Sequence, residues 1–223
     1  MGSSSIKKPH KFFDRYLDND LDLVASEMLQ LREDILSNKV ADIPDHILQK
    51  YHHEKDTVNS QVTGLASYYN IFTLGYESID KVRNALKEIV VEALDYYEVE
   101  HSLEDYYIRG WLNVTYGSSH NKGIERPEFL NKPESFHEHN DGMGIPDMHG
   151  YYCVTAEPSI THYLINKTEL RENHNVNNRV VASETGHPHR IDLWEYDTPR
   201  ITVAYDICPS DKLLGDGISV PLW

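Results

Sequence analysis

The stretch SFHEHNDGMG, residues 135–144, carries His137, His139 and Asp141 at alternate positions. Alternate side chains of an extended strand share one face, so three groups able to bind a metal would line one side of one strand. Two imidazoles and one carboxylate on a common face are the ligand set of non-heme Fe(II), with positions left open for a bidentate cosubstrate and dioxygen. Neutral imidazole suits the ferrous ion, and the carboxylate cancels part of its charge. Seven of the 13 histidines fall between His137 and His189. An H-x-D triplet such as His139-Asn140-Asp141 also arises by chance in an acidic, histidine-rich chain, so by itself it leaves a polar loop as the alternative. His137, His149, His162, His174 and His187 read as solvated or supporting residues. His137 stands apart because it shares a strand face with His139.

A distal segment, GHPHRIDLWEYDTPRITVAYDI (186–207), supplies the rest of a site. It resembles the Fe(II)- and 2-oxoglutarate-dependent oxygenase superfamily, whose fold is a double-stranded β-helix, or jelly roll. In that superfamily a distal histidine is followed, about ten residues on, by an arginine that opens a strand. Here Arg200 follows His189 by eleven positions. A guanidinium pairs bidentately with a carboxylate, as the far end of 2-oxoglutarate would require. Thr202, two residues on, stands where the family pattern has a second hydroxyl-bearing residue.

The segments WLNV (111–114), the histidine stretch, HGYYCV (149–154), HPHRI (187–191) and RITVAYDI (200–207) occur in that order. This succession is similar to uncharacterised bacterial and phage 2-oxoglutarate oxygenases, with His189 rather than His187 in the distal ligand position. The resemblance spans about residues 111–207. It implies Fe(II) held by His139, Asp141 and His189, and 2-oxoglutarate held by Arg200 and Thr202, with Tyr151 and Asn113 as further cosubstrate contacts. It implies hydroxylation of a protein side chain, such as a prolyl, or of a small molecule, consuming dioxygen and yielding succinate and carbon dioxide. Ascorbate is an optional reductant. Two departures stand out. The related pattern is H-x-H, which gives His137, His139 and His189 as the alternative ligand set, and GMGIPDM (142–148) is additional. A cupin-like metalloenzyme without 2-oxoglutarate, or a non-catalytic jelly-roll binding module, would need neither Arg200 nor Thr202.

These residues need a scaffold. Apolar residues at Leu21, Val24, Met28, Leu31 and Ile35 predict a helix within about 14–38, stopped near Asn38. A second stripe, Ile79, Val82, Leu86, Ile89, Val90, Ala93 and Leu94, predicts another, with Ser78 as its N-cap. From Tyr106 onward the candidates are strands: YYIRGWLNVTY, GYYCVTAE, ITHYLI, NRVVAS, IDLWEY and RITVAYDI. In the last, Ile201, Val203, Tyr205 and Ile207 alternate with Arg200, Thr202, Ala204 and Asp206. The expectation is an α+β chain: a helical support over 1–104 and a jelly-roll core over 105–223, integrated as one domain. The long polar segment 117–134 leads into the histidine stretch, and loops of that length are often functional. The first ten residues read as a flexible tail.

Composition bounds the partners. The chain has 223 residues, 39% hydrophobic and 26% charged, and fits a globular protein long enough for a substantial core. A formal net charge of −15, with no basic run longer than Lys7-Lys8, argues against nucleic acid. No apolar window reaches a membrane span and no signal-peptide pattern opens the chain, so a cytoplasmic location is expected. Cys153 and Cys208 read as thiols in a reducing compartment rather than a disulfide or zinc site. A homodimer is one assembly open to such a chain.

Overall fold

The computed structural model describes residues 8–52, 61–117, 136–137, 147–192, 194–209 and 217–223. His139 and Asp141 lie outside these residues, as does most of the polar segment 117–134. Strand β1 (Phe13–Tyr16) comes first, then helices α1 (Leu21–Leu36), α2 (Asp45–His52) and α3 (Glu77–Tyr97). The strands that follow are β2 (Tyr106–Thr115), β3 (Met148–Thr155), β4 (Ile160–Ile165), β5 (Glu169–His174), β6 (Arg179–Glu184), β7 (His189–Ile191), β8 (Arg200–Pro209) and β9 (Val220–Pro221).

Helix α1 starts where Asp20 accepts hydrogen bonds from the backbone N–H groups of Asp22 and Leu23, satisfying donors that the first turn leaves open. It buries Val24, Met28, Leu31 and Ile35 of the predicted stripe, while Leu21 is half-buried. Asn38 adopts the left-handed conformation that ends the helix, at φ 58. The expectation for 14–38 fails at its N-terminal side, because Phe13–Tyr16 is a strand paired antiparallel with β6. Helix α3 buries Ile79, Val82, Leu86, Ile89, Val90, Ala93 and Leu94. Its N-cap is Tyr76 rather than Ser78, and Ser78, one residue inside, instead bonds Glu27 at 3.1 Å.

The larger sheet runs β1-β6-β3-β8-β2-β9 and the smaller β5-β4-β7, with every pairing antiparallel. His137 bridges β7 on the side away from β4, adding a fourth position to the smaller sheet. Two facing antiparallel sheets in this order make the jelly roll that was expected. Among the described residues of IDLWEY only Ile191 is strand, the end of the short β7.

The sheet's two faces have opposite chemistry because side chains alternate. Ile108, Leu112 and Val114 of β2, Tyr152 and Val154 of β3, and Ile201, Val203, Tyr205 and Ile207 of β8 share one core with the helices. Burying each such side chain is worth about 1.5–3 kcal/mol. Gly110 lets this face close: a Cβ there would lie 2.4 Å from Phe72 Cε2. The other face, with Tyr151, Cys153 and Val181, packs against Tyr163 and Ile165 of the smaller sheet. Both cysteines are buried and form no disulfide. Among the described residues no helix is long and apolar enough to cross a membrane.

Candidate functional site

Between the sheets the apolar packing gives way to a cavity of about 370 Å³. Its walls follow from alternation. Strand β2 contributes Arg109, Trp111, Asn113 and Thr115, and β8 contributes Arg200, Thr202 and Ala204. His149 and Tyr151 come from β3, Thr161 from β4, and His189 and Ile191 from β7, with His137 beside them. The expected residues Asn113, Tyr151, His189, Arg200 and Thr202 therefore share one cavity. His139 and Asp141 fall outside the described residues.

Arg200 is 3% exposed, yet among the described residues its hydrogen bonds go only to neutral hydroxyls. Its Nε donates to Ser159 Oγ at 3.1 Å and its Nη1 to Thr202 Oγ1 at 3.4 Å. No carboxylate among the described residues pairs with it. Burial pulls its pKa below the usual arginine value, with Cys153 and Tyr151 opposing that shift. A guanidinium nevertheless stays charged. A buried cation without a counter-charge is costly, and such a group is retained where a ligand supplies the anion. Thr202 is fixed from its other side by Asn113 Nδ2 at 3.5 Å, and Thr63 donates to Asn113 Oδ1.

His189 and His137 are held by backbone. The His137 N–H donates to His189 O at 3.0 Å and the His189 N–H to His137 O at 2.8 Å. Directly opposed residues project to the same side of a sheet, and the two rings lie 4.3 Å apart. His189 also stacks on His149, with centroids 4.6 Å apart and planes at 17°, and on Tyr163 at 5.3 Å. Among the described residues no three His, Cys, Asp or Glu side chains form a metal-binding group.

The other histidines divide. His187 is satisfied at both nitrogens: Nδ1 accepts from Asn166 N–H at 3.2 Å, so Nε2 carries the proton towards Glu184 Oε1 at 3.2 Å. His162 bonds Asp192 at 2.8 Å, and His174 is exposed. His149 takes the supporting alternative, buried in the cavity wall and stacked on His189. Tyr151 is tied by its hydroxyl, which accepts from Asn173 Nδ2 at 2.7 Å, and burial raises its pKa. Burial likewise pushes the Cys153 thiol up to about 12, so it stays protonated. Arg190 lies over the Phe136 ring, and Trp194 is buried.

Sequence reading missed Arg109 and Thr161 as wall residues, and Ser159 as the hydroxyl that accepts from Arg200. Arg109 carried a signal, because it shares the alternation of Trp111 and Asn113. Thr161 carried none, since strand β4 reads as ordinary apolar strand, and Ser159 lies just before that strand.

No protein-family model matches the chain, and no curated protein matches it. Nine solved chains do. One is the crystal structure of a Pseudomonas putida prolyl-4-hydroxylase, 10% identical over 88% of this chain and 92% of that chain, with a TM-score of 0.47.

Proposed function

We propose that the protein is an Fe(II)- and 2-oxoglutarate-dependent dioxygenase, hydroxylating a bound substrate as 2-oxoglutarate becomes succinate and carbon dioxide. The observation that carries this reading is Arg200, a buried guanidinium that faces a cavity and, among the described residues, hydrogen-bonds only to hydroxyls. A carboxylate entering the cavity supplies the missing counter-charge through a bidentate pair. Thr202 donates or accepts beside it, and Asn113 holds Thr202 in place. A cupin-like enzyme that uses no 2-oxo acid, or a non-catalytic module, leaves this buried charge unexplained.

The residues present fit a metal. His137 and His189 line the same cavity from paired backbone, and imidazole is a ligand that suits ferrous iron. Their pairing favours His137, His139 and His189 as the ligand set, because His139 is the same-face neighbour of His137 in an extended chain. The set His139, Asp141 and His189 is the competing choice, distinguished by whether His137 or Asp141 is needed for metal. Iron, when bound, supplies the activation of dioxygen and the oxidising power. The chain's own part is to position and to exclude water. Arg200 and Thr202 orient the cosubstrate from its far carboxylate. His149 and Tyr163, stacked on His189, hold that ring and close the cavity around it.

The test is succinate release from 2-oxoglutarate with Fe(II) and ascorbate, against His189→Ala. Turnover above that control supports the reading. Equal rates in both proteins contradict it.

A further inference from the structure

We infer that Ser159, braced by Asn175, is a positioning residue for Arg200, and that it sets the chain length of the 2-oxo diacid the cavity takes. This rests on the function proposed above and gives a part in it to two residues that stand behind the cavity wall.

Ser159 is held from several sides. It lies in the connection between β3 and β4, 7% exposed, and its N–H donates to Ala156 O at 2.8 Å. Its hydroxyl donates to the same oxygen at 2.6 Å and accepts from Asn175 Nδ2 at 2.9 Å and from Arg200 Nε at 3.1 Å. A hydroxyl has one donor and two acceptor positions, so this one is saturated. Asn175 is buried as well, and its backbone N–H donates to Ser159 O at 3.0 Å. Its Oδ1 accepts from Thr161 Oγ1 at 3.2 Å. A flipped amide would set Oδ1 against a hydroxyl whose proton already goes to Ala156, so the amide has one orientation. The end of β3 is tied to the start of β8 too, because Thr155 Oγ1 donates to Pro199 O at 2.9 Å.

These bonds select the open edge of the guanidinium. A guanidinium meets a carboxylate through two adjacent N–H groups, side-on through Nε and one terminal nitrogen or end-on through both terminal nitrogens. Ser159 occupies the Nε–H and closes the side-on edge. The Nη1 contact with Thr202 is long, at 3.4 Å, and Nη2 has no hydrogen-bond partner among the described residues. The carboxylate is therefore received end-on.

Depth follows from the same clamp. Arg200 rises from the larger sheet, and Ser159 leads into the smaller one, so the bond between them crosses from sheet to sheet. It keeps the guanidinium from swinging along the cavity towards or away from His137 and His189. A loose arginine follows ligands of different lengths, whereas a clamped one meets only one. A single methylene in a fitted pocket is worth roughly 10–200-fold in affinity.

The experiment is calorimetric titration of the full chain, loaded with Mn(II) as a redox-silent probe metal, with 2-oxoglutarate and with 2-oxoadipate, one methylene longer. We expect wild type to favour 2-oxoglutarate by about tenfold or more. Ser159→Ala brings the two affinities close to equal while Mn(II) affinity is unchanged, and Ser159→Thr, which keeps the hydroxyl, restores the preference. Asn175→Ala, which leaves the Ser159 hydroxyl free to turn, reduces the preference in the same direction, and decides the matter should Ser159→Ala fail to fold. A preference that survives in Ser159→Ala or Asn175→Ala, with all affinities lowered together, means a merely structural role and overturns the inference. Wild type that binds both diacids equally also overturns it, without any variant, and the proposed function stands. Wild type that binds neither overturns both.

Discussion

His137 and His189 face each other across a doubly hydrogen-bonded backbone pair, at 3.0 and 2.8 Å, at the edge of the smaller sheet. That backbone pairing places two imidazoles beside one cavity. If both bind iron, His137→Ala loses Fe(II) affinity by more than the roughly 10–100-fold expected from losing an outer partner. Asp141→Asn keeps it. Anaerobic metal titration reads both. The opposite pattern, retention in His137→Ala and loss in Asp141→Asn, returns the ligand set to His139, Asp141 and His189.

Arg200 makes an unusual prediction about stability. Replacing it with methionine removes a buried cation that has no counter-charge among the described residues. Its two partners keep other hydrogen bonds: Ser159 Oγ donates to Ala156 O and accepts from Asn175, and Thr202 keeps Asn113. Arg200→Met therefore stabilises the ligand-free protein, by on the order of 1 kcal/mol, while 2-oxoglutarate no longer stabilises it. Urea midpoints with and without 2-oxoglutarate measure this. Destabilisation by several kcal/mol without ligand would mean that the charge is compensated internally.

The scaffold's largest elements were legible where one physical requirement dominated. Strand β8 alternates cleanly because Ile201, Val203, Tyr205 and Ile207 meet helices while Arg200 and Thr202 meet a polar cavity. Helix α3 shows its period because one side packs on the sheet. Strand β1 was hidden: four residues give little alternation, and their partner Arg179–Ala182 is remote in sequence. Strand β5, with Leu170 exposed and mostly polar neighbours, lacks a buried face that would mark it. At the site, Arg200 was singled out only through the family resemblance, by its interval from His189, whereas the His137–His189 contact depends on a tertiary bridge that no local pattern encodes.

The helical layer is predicted to be a structural requirement. Leu86 is fully buried in the shared core, so Leu86→Ala costs about 2–5 kcal/mol. Asp20→Ala removes only a cap and costs about 1 kcal/mol. Chemical denaturation orders the two. A Leu86→Ala loss no larger than that of Asp20→Ala would mean that the helix packs loosely on the sheet.

His10 gives a pH signature. Its ring lies 4.7 Å from both Phe12 and His187. Its pKa falls from 6.5 to about 4, chiefly by burial and then by His187 and Arg171, against Glu184 and Glu169. The folded value lies below the unfolded one, so the unfolded chain takes up the proton first. The stability from this group is intact above about pH 6.5 and is lost as pH falls towards 4. Between about pH 7.5 and about pH 5.5 it amounts to about 1.4 kcal/mol. In His10→Gln that part of the pH dependence disappears from the denaturation midpoints. An unchanged slope would place the titration elsewhere.

The most direct measurement is calorimetric titration of 2-oxoglutarate into anaerobic, metal-loaded protein, wild type beside Arg200→Ala. The account predicts one equivalent bound by wild type and no detectable binding by the variant. Equal binding by both proteins, or none by wild type, would contradict it.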